Sequence, residues 1–396
     1  MNIKNKKTLW LFPLLLVLYE ISLYLSNDAY LPALPAITTE FANTLASTQL
    51  TLTLWFLGAC STQLVIGFIS DRYGRRPTLF LGGLVFVLST FACAMANHMS
   101  ILLIARFLQG ASIPTLSIAG YATIHELFDQ KKAIKTLAFM NGITVLAPSL
   151  GPLLGGLLLY FINWHWLFGI LTIWAAVALL CLWKTMPETL PIEKQHPIDF
   201  RNIMKNYWAL ISNSVFMINT LISGCAFGAM IAWICASSFF VIVKFHYSFI
   251  EYGIIQAIIF GGFILGTRIV NRTIEHFSLS SILRVGMLLI MTSSIAMVVL
   301  CYCFSTTLMT IIVPMFFLAL GSGLCFAILS RLAVEASDVP MGSRMAVSAW
   351  LTTLFAVIGS LIASSFETSV FAFSVAVFVL ALIGSLLYIM LVSRVS

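Results

Sequence analysis

Apolar runs of about 20 residues recur twelve times along this chain of 396 residues, and nothing else in it limits the fold so strongly. A hydrocarbon core about 30 Å thick needs a helix of roughly that length. The runs centre near Leu18, Gly58, Val87, Leu108, Leu146 and Trp174, then near Gly228, Phe260, Ile290, Leu318, Phe355 and Phe378. Only 9% of residues are charged and 60% are apolar, whereas a soluble domain carries roughly 25% charged residues. Such a chain cannot cover a water-facing surface, so its outside must be lipid. The predicted fold class is an all-α membrane protein of twelve spans in two six-helix bundles. The one long polar stretch, Met186 to Trp208, holds Pro187, Pro191, Pro197 and mixed charges. It divides residues 1–185 from 210–396, with a linker at 186–209.

The N-terminus begins with Lys4, Lys6 and Lys7 before an apolar run from Leu9, as a signal peptide would. No small-x-small cleavage site follows and the run continues past Leu25, which predicts an uncleaved first span. With the N-terminus placed in the cytoplasm, all but two of the 21 basic residues fall in cytoplasmic segments; the exceptions are Lys244 and Arg106. Positive charge is retained on that side during insertion, and a wrong helix count would scramble the asymmetry. Both termini are therefore expected inside, in a bacterial inner membrane. The net charge of +7 is spread over short loops and forms no basic domain, which argues against nucleic-acid binding.

Charges left at bilayer depth are functional candidates by default. Glu20 and Asp28 lie in the first run and Arg106 in the fourth. At 1.5 Å per residue, Glu20 sits roughly 15 Å and Asp28 roughly 27 Å from the inner boundary, with Arg106 between them in depth. Eight residues of helix turn Glu20 and Asp28 about 80° apart, close enough to border one cavity. A structural ion pair between Asp28 and Arg106 is the competing reading. It leaves Glu20 without a basic partner visible in sequence. A carboxyl buried without one takes up a proton near neutral pH, as a proton-coupled carrier requires.

Other chemistry finds no support. The six histidines lie near helix ends or in loops, and the eight cysteines fall almost entirely inside apolar runs, as free thiols would. Cys301 and Cys303 have no histidine or cysteine partners nearby. No metal site, cofactor or catalytic residue is expected. A polytopic membrane enzyme would need a catalytic cluster at a membrane face. The nearest thing to one, His125 with Glu126, has its two side chains on different sides of a helix.

Between the second and third runs stands Gly67-Phe68-Ile69-Ser70-Asp71-Arg72-Tyr73-Gly74-Arg75-Arg76-Pro77. Positive-inside anchoring explains its arginines but neither Asp71 nor the glycine spacing. The pattern resembles the loop 2–3 signature of the major facilitator superfamily, where it forms a cytoplasmic latch. The resemblance assigns that role to Gly67, Asp71, Arg72, Gly74, Arg75 and Arg76. The second-half counterpart, Gly266 to Arg272, lacks the acid. In the fifth run, Gly142, Pro148, Gly151, Pro152, Gly155 and Gly156 resemble the antiporter signature of the family's drug/proton exporters. The prolines bend the helix, and Gly151 with Gly155 makes a small-xxx-small face for which Gly262 and Gly266 offer a partner across the halves. Arg106-Phe107-Leu108-Gln109-Gly110 resembles the family motif tied to proton transfer. Asp28 to Pro35 is similar to the end of helix 1 in exporters of the Bcr/CflA kind. Glu251-Tyr252-Gly253, Arg331 and Ser337-Asp338 match as well.

The resemblance covers nearly the whole chain. It implies a monomeric proton antiporter that exports small lipophilic cationic or neutral compounds by alternating access. Glu20, Asp28 and Arg106 would be its coupling residues. A dedicated metabolite or siderophore exporter of the same fold is the alternative. The expected pocket walls are apolar and adaptable, with Tyr24, Asn27, Gln109, Tyr121, Met140, Trp233, Gln256 and Phe260 as candidates and ordinary helix packing as the competing reading for most. The substrate itself is not written in such a surface.

Overall fold

A computed structural model describes residues 6–190, 199–304, 307–366 and 369–395. Pro191, Lys194, His196 and Pro197 of the expected linker lie outside the described residues. Twelve long helices carry the twelve expected run centres. In chain order these are α1 (Lys6–Asp28), α3 (Leu45–Tyr73), α4 (Arg75–Ala94), α5 (Met99–Thr115), α7 (Gln130–Leu158) and α8 (Trp164–Thr185). They continue with α10 (Ser214–Ser238), α11 (Phe249–Thr273), α12 (Leu279–Cys303), α13 (Met309–Glu335), α14 (Met341–Ser365) and α15 (Val370–Val395). Among the described residues, three short α-helices stand between them: α2 (Leu34–Glu40), α6 (Tyr121–Leu127) and α9 (Phe200–Ser212). Among the described residues there are no strands.

Most of the long helices are apolar on both faces, which separates them from helices of a water-soluble bundle. In α8, Leu167, Phe168, Leu171, Ala175 and Leu182 are buried while Trp166, Ile173, Val177 and Leu180 on the other side are exposed. Eleven helical segments among the described residues are long and apolar enough to cross a bilayer. Of the remaining long helix, α7, the described stretch Leu146–Leu158 is apolar. Helix starts are marked by side chains that accept from otherwise unpaired backbone N–H groups. Asn163 caps α8, Asn213 caps α10 and Ser278 caps α12. Ser248 and Glu251 form a reciprocal capping box at α11.

Two compact units divide the chain. The first comprises residues 1–33 and 54–199, the second residues 34–53 and 200–396. Residues 34–53 thus belong with the second unit although they stand early in the sequence. There Gln49 Nε2 donates to the Cys235 carbonyl at 3.4 Å, and the Thr53 and Ser360 hydroxyls lie 2.6 Å apart. The polar linker also contains more order than its composition suggests, since its second part forms α9.

The glycine pairs differ from expectation. A side chain at Gly151 would meet Asp28, and one at Gly155 would meet Ala29, so this face of α7 seats the end of α1. Gly262 and Gly266 face Phe316 and Leu320 of α13 instead. The expected pairing of Gly151/Gly155 with Gly262/Gly266 is therefore corrected: each pair receives a helix of its own unit. A small-xxx-small pattern shows that something approaches closely but carries no information about what.

Candidate functional site

The first unit holds the three intramembrane charges, all essentially inaccessible. Glu20 comes from the middle of α1, Asp28 is its last residue, and Arg106 lies in α5. Arg106 is fully enclosed, so each guanidinium donor needs a partner at this depth. Its Nη1 donates to the Ser26 carbonyl at 3.1 Å and also to Gln109 Oε1, while Nη2 donates to Asn27 Oδ1 at 2.8 Å. The Tyr30 ring lies 4.5 Å from the guanidinium carbon and the Trp55 ring 5.9 Å. Both are within reach of a cation–π attraction.

Asn27 carries the arrangement on to Asp28. Its Nδ2 donates to Asp28 Oδ1 at 3.2 Å, so one amide serves the arginine with its oxygen and the acid with its nitrogen. Gln109 repeats the pattern on the other side: its Nε2 donates to the Thr90 hydroxyl at 2.9 Å, and Thr90 donates to the Phe86 carbonyl at 2.6 Å. The result is a hydrogen-bonded row from α4 through α5 to the end of α1.

Glu20 is held separately. The Tyr121 hydroxyl donates to its Oε1 at 2.5 Å. Tyr121 reaches it from the first position of α6, directly after a π-helical turn, Leu116–Gly120, that follows Pro114. Proline removes a backbone donor, and a π turn shifts every later side chain in register. The partner that the sequence does not reveal for Glu20 is thus a phenol, delivered by a local break in the helix.

The pocket candidates divide between the units. Asn27, Gln109 and Tyr121 bond directly to the charged residues, Tyr24 is half-buried and Met140 is fully buried, all in the first unit. Trp233, Gln256 and Phe260 are buried in the second unit. Trp233 Nε1 donates to Gln256 Oε1 at 2.9 Å, and Gln256 Nε2 donates to the Ser237 and Tyr252 hydroxyls at 2.6 and 2.9 Å. These residues form an uncharged network that ties α10 to α11.

The motif between α3 and α4 is built around two further carboxylates, Glu188, which the sequence does not single out, and Glu126, which it pairs with His125 rather than with this turn. Glu188, after α8, accepts from the backbone N–H groups of Arg75 and Arg76, each at 3.0 Å. A carboxylate there complements the positive end of α4. Gly74 has φ 104°, and a Cβ on it would lie 2.5 Å from Glu188 Oε2. The backbone conformation thus favours glycine, and any side chain here would displace the Glu188 carboxylate. Arg75 bonds Asp71 at 2.5 Å and Glu126 at 3.2 Å, and Thr189 also donates to Glu126. Arg76 donates to the Trp183 carbonyl at 2.7 Å and lies 5.0 Å from that residue's ring. Arg72 stacks on Tyr73 at 5.3 Å, and a Cβ on Gly67 would meet nothing within 4 Å among the described residues outside its own helix. In α7, Pro148 is half-buried while Pro152 and Gly156 are buried. The surroundings of Gly142 lie outside the described residues.

Known proteins match this chain along most of its length. It is 30% identical over 352 residues to the chloramphenicol resistance protein CraA of Acinetobacter baumannii, covering 89% of this chain and 84% of that protein. It is 31% identical over 355 residues to the multidrug transporter MdfA of Yersinia pestis, covering 88% and 85%. Among solved structures, a bacterial homologue of the human lysosomal transporter Spinster superposes with a TM-score of 0.76 at 15% identity, over 98% of this chain and 97% of that one. A D-xylose–proton symporter gives 0.73 at 15% identity, over 95% and 97%. Residues 16–364 match the Major Facilitator Superfamily. The twelve-helix chain is a multi-pass membrane protein and belongs to that superfamily of transporters.

Proposed function

We propose that this protein is a proton-coupled antiporter that exports small lipophilic compounds, cationic or neutral, across the bacterial inner membrane. The observation that carries the reading is the pair of enclosed carboxyls in one bundle, each with its own device: Glu20 with the Tyr121 hydroxyl, Asp28 with Asn27 and Arg106. Enclosed acids hold and release protons as their surroundings change. Similarity to CraA and MdfA, a chloramphenicol resistance protein and a multidrug transporter, supports drugs as the cargo.

In this account Glu20 and Asp28 take protons from the outside and discharge the substrate outward. Opening inward returns the protons. Arg106, linked to Asp28 through Asn27, makes that acid's proton state depend on conformation. A lipophilic cation pairs with a deprotonated acid, and a neutral compound competes by shape. Both termini are cytoplasmic, which follows from the distribution of basic residues, and the transporting unit is a single chain in lipid. The α3–α4 turn acts as the cytoplasmic latch.

Expression in a pump-deficient bacterial host tests the reading. The chain should lower accumulation of a lipophilic cation such as ethidium and of neutral chloramphenicol, and an uncoupler should abolish both effects. Unchanged accumulation of both compounds, with the chain present in the membrane, would contradict it.

A further inference from the structure

The helix α9 is unlike any of the long helices. Most spans are apolar all round, but α9 has a sharp division between apolar and polar residues. At about 100° per residue, Phe200, Ile211, Met204 and Trp208 project within one arc about 80° wide. They are 58%, 44%, 54% and 72% exposed respectively. Next to that arc, on the neighbouring turn of the wheel, stand Arg201 and Lys205, both exposed. The helix contains no acidic residue. Its opposite apolar edge is already occupied, because Leu210 is buried where α9 packs on α10 and α14.

The position of α9 along the membrane normal is set by its end. One residue, Asn213, separates it from the transmembrane helix α10. The Asn213 side chain accepts from Phe216 N at 2.9 Å and donates to the carbonyl of Ala336 at 2.8 Å, just past the end of α13. The C-terminal end of α9 is therefore pinned where one span begins and another ends, at the membrane surface. Four large apolar side chains exposed in one stripe would be costly in water. At this level they meet the boundary between headgroups and acyl chains, where tryptophan is favoured and basic side chains meet phosphates.

We propose that α9 is an interfacial anchor: Phe200, Met204, Trp208 and Ile211 insert into the adjoining leaflet, and Arg201 and Lys205 hold the headgroup phosphates of anionic lipid. The occupant is a bilayer rather than a protein, because the helix ends one residue before a span begins and the charged side chains beside the stripe, Arg201 and Lys205, are both cationic.

The test uses the full chain in nanodiscs of phosphatidylcholine, with or without one-third phosphatidylglycerol. The emission of Trp208 is read as the difference between wild type and Trp208→Phe. Lipids brominated near the headgroup should quench that component severalfold more than aqueous iodide does. Phosphatidylglycerol retained per chain through detergent extraction should fall at least twofold in the double variant Arg201→Gln, Lys205→Gln, while retained phosphatidylcholine is unchanged. Quenching of Trp208 by iodide but not by bromolipid would overturn the anchor. Equal retention of phosphatidylglycerol by wild type and double variant would overturn the anionic partner.

Discussion

Asn27 stands between Arg106 and Asp28, accepting from the guanidinium at 2.8 Å and donating to the carboxylate at 3.2 Å. The two charges thus communicate through an amide whose orientation each of them requires. Replacing it with leucine, which is similar in size, would leave a buried donor of Arg106 and a buried oxygen of Asp28 each short of a partner. Hydrogen bonds to charged groups contribute about 1.5–3 kcal/mol, equivalent to roughly 10- to 100-fold in rate or affinity. Asn27→Leu should slow proton-driven uptake into everted vesicles by that factor at unchanged protein level. Uptake within twofold of wild type would remove Asn27 from the coupling path.

Tyr121 offers a narrower change. Tyr121→Phe keeps the ring and deletes the hydroxyl that donates to Glu20. Net hydrogen-bond contributions of this kind are about 1.5–3 kcal/mol when one partner is charged. Transport should fall at least tenfold, with no further loss when Glu20→Gln is added. Additive losses from the two substitutions would show that they act independently.

Gly151 tests how tightly the end of α1 is held. A methyl at this position would come within 2.7 Å of the Asp28 Cβ, so either the acid or α7 must move. Overpacking of this type costs about 1–3 kcal/mol. Gly151→Ala should reach the membrane in normal amounts yet lose most coupled transport, as measured by drug-induced alkalinisation or acidification in vesicles. Normal coupling would mean that the position of Asp28 is not critical.

The α3–α4 turn rests on Glu188. Glu188→Ala removes the acceptor for two backbone N–H groups at the start of α4, a capping loss of about 0.5–2 kcal/mol. Glu188→Gln, which keeps one acceptor, should lose less. Thermal unfolding in detergent checks the order of the three proteins. Asp71→Asn, acting at the neighbouring Arg75, should shift the inward/outward balance, read as the reactivity of a reporter thiol placed on the cytoplasmic side. Identical reactivity in wild type and variant would argue against a latch.

Much of this architecture is written openly in the residues, for a physical reason. A bilayer demands helices of one length and excludes charge, so twelve runs and the isolated Glu20, Asp28 and Arg106 stand out in any reading. Their partners do not. Tyr121 reaches Glu20 from 101 residues away, after a π turn that shifts its register, and no local pattern signals that. Glu188 looks like any loop acid, yet it closes on Arg75 across 113 residues. The pairing of Gly151 and Gly155 with Gly262 and Gly266 failed because small residues mark a close approach without naming the visitor. Within the linker, the charges and prolines of residues 186–199 mask in composition the apolar stripe of α9, which only its helical periodicity reveals.

Proton-driven uptake of a fluorescent lipophilic cation into everted membrane vesicles, with an imposed pH gradient, tests the central claim most directly. Wild-type protein should accumulate the cation until the gradient is collapsed. The double variant Glu20→Gln, Asp28→Asn, present at equal level, should reduce accumulation to that of vesicles lacking the protein. Accumulation at the wild-type rate by the double variant would contradict the account.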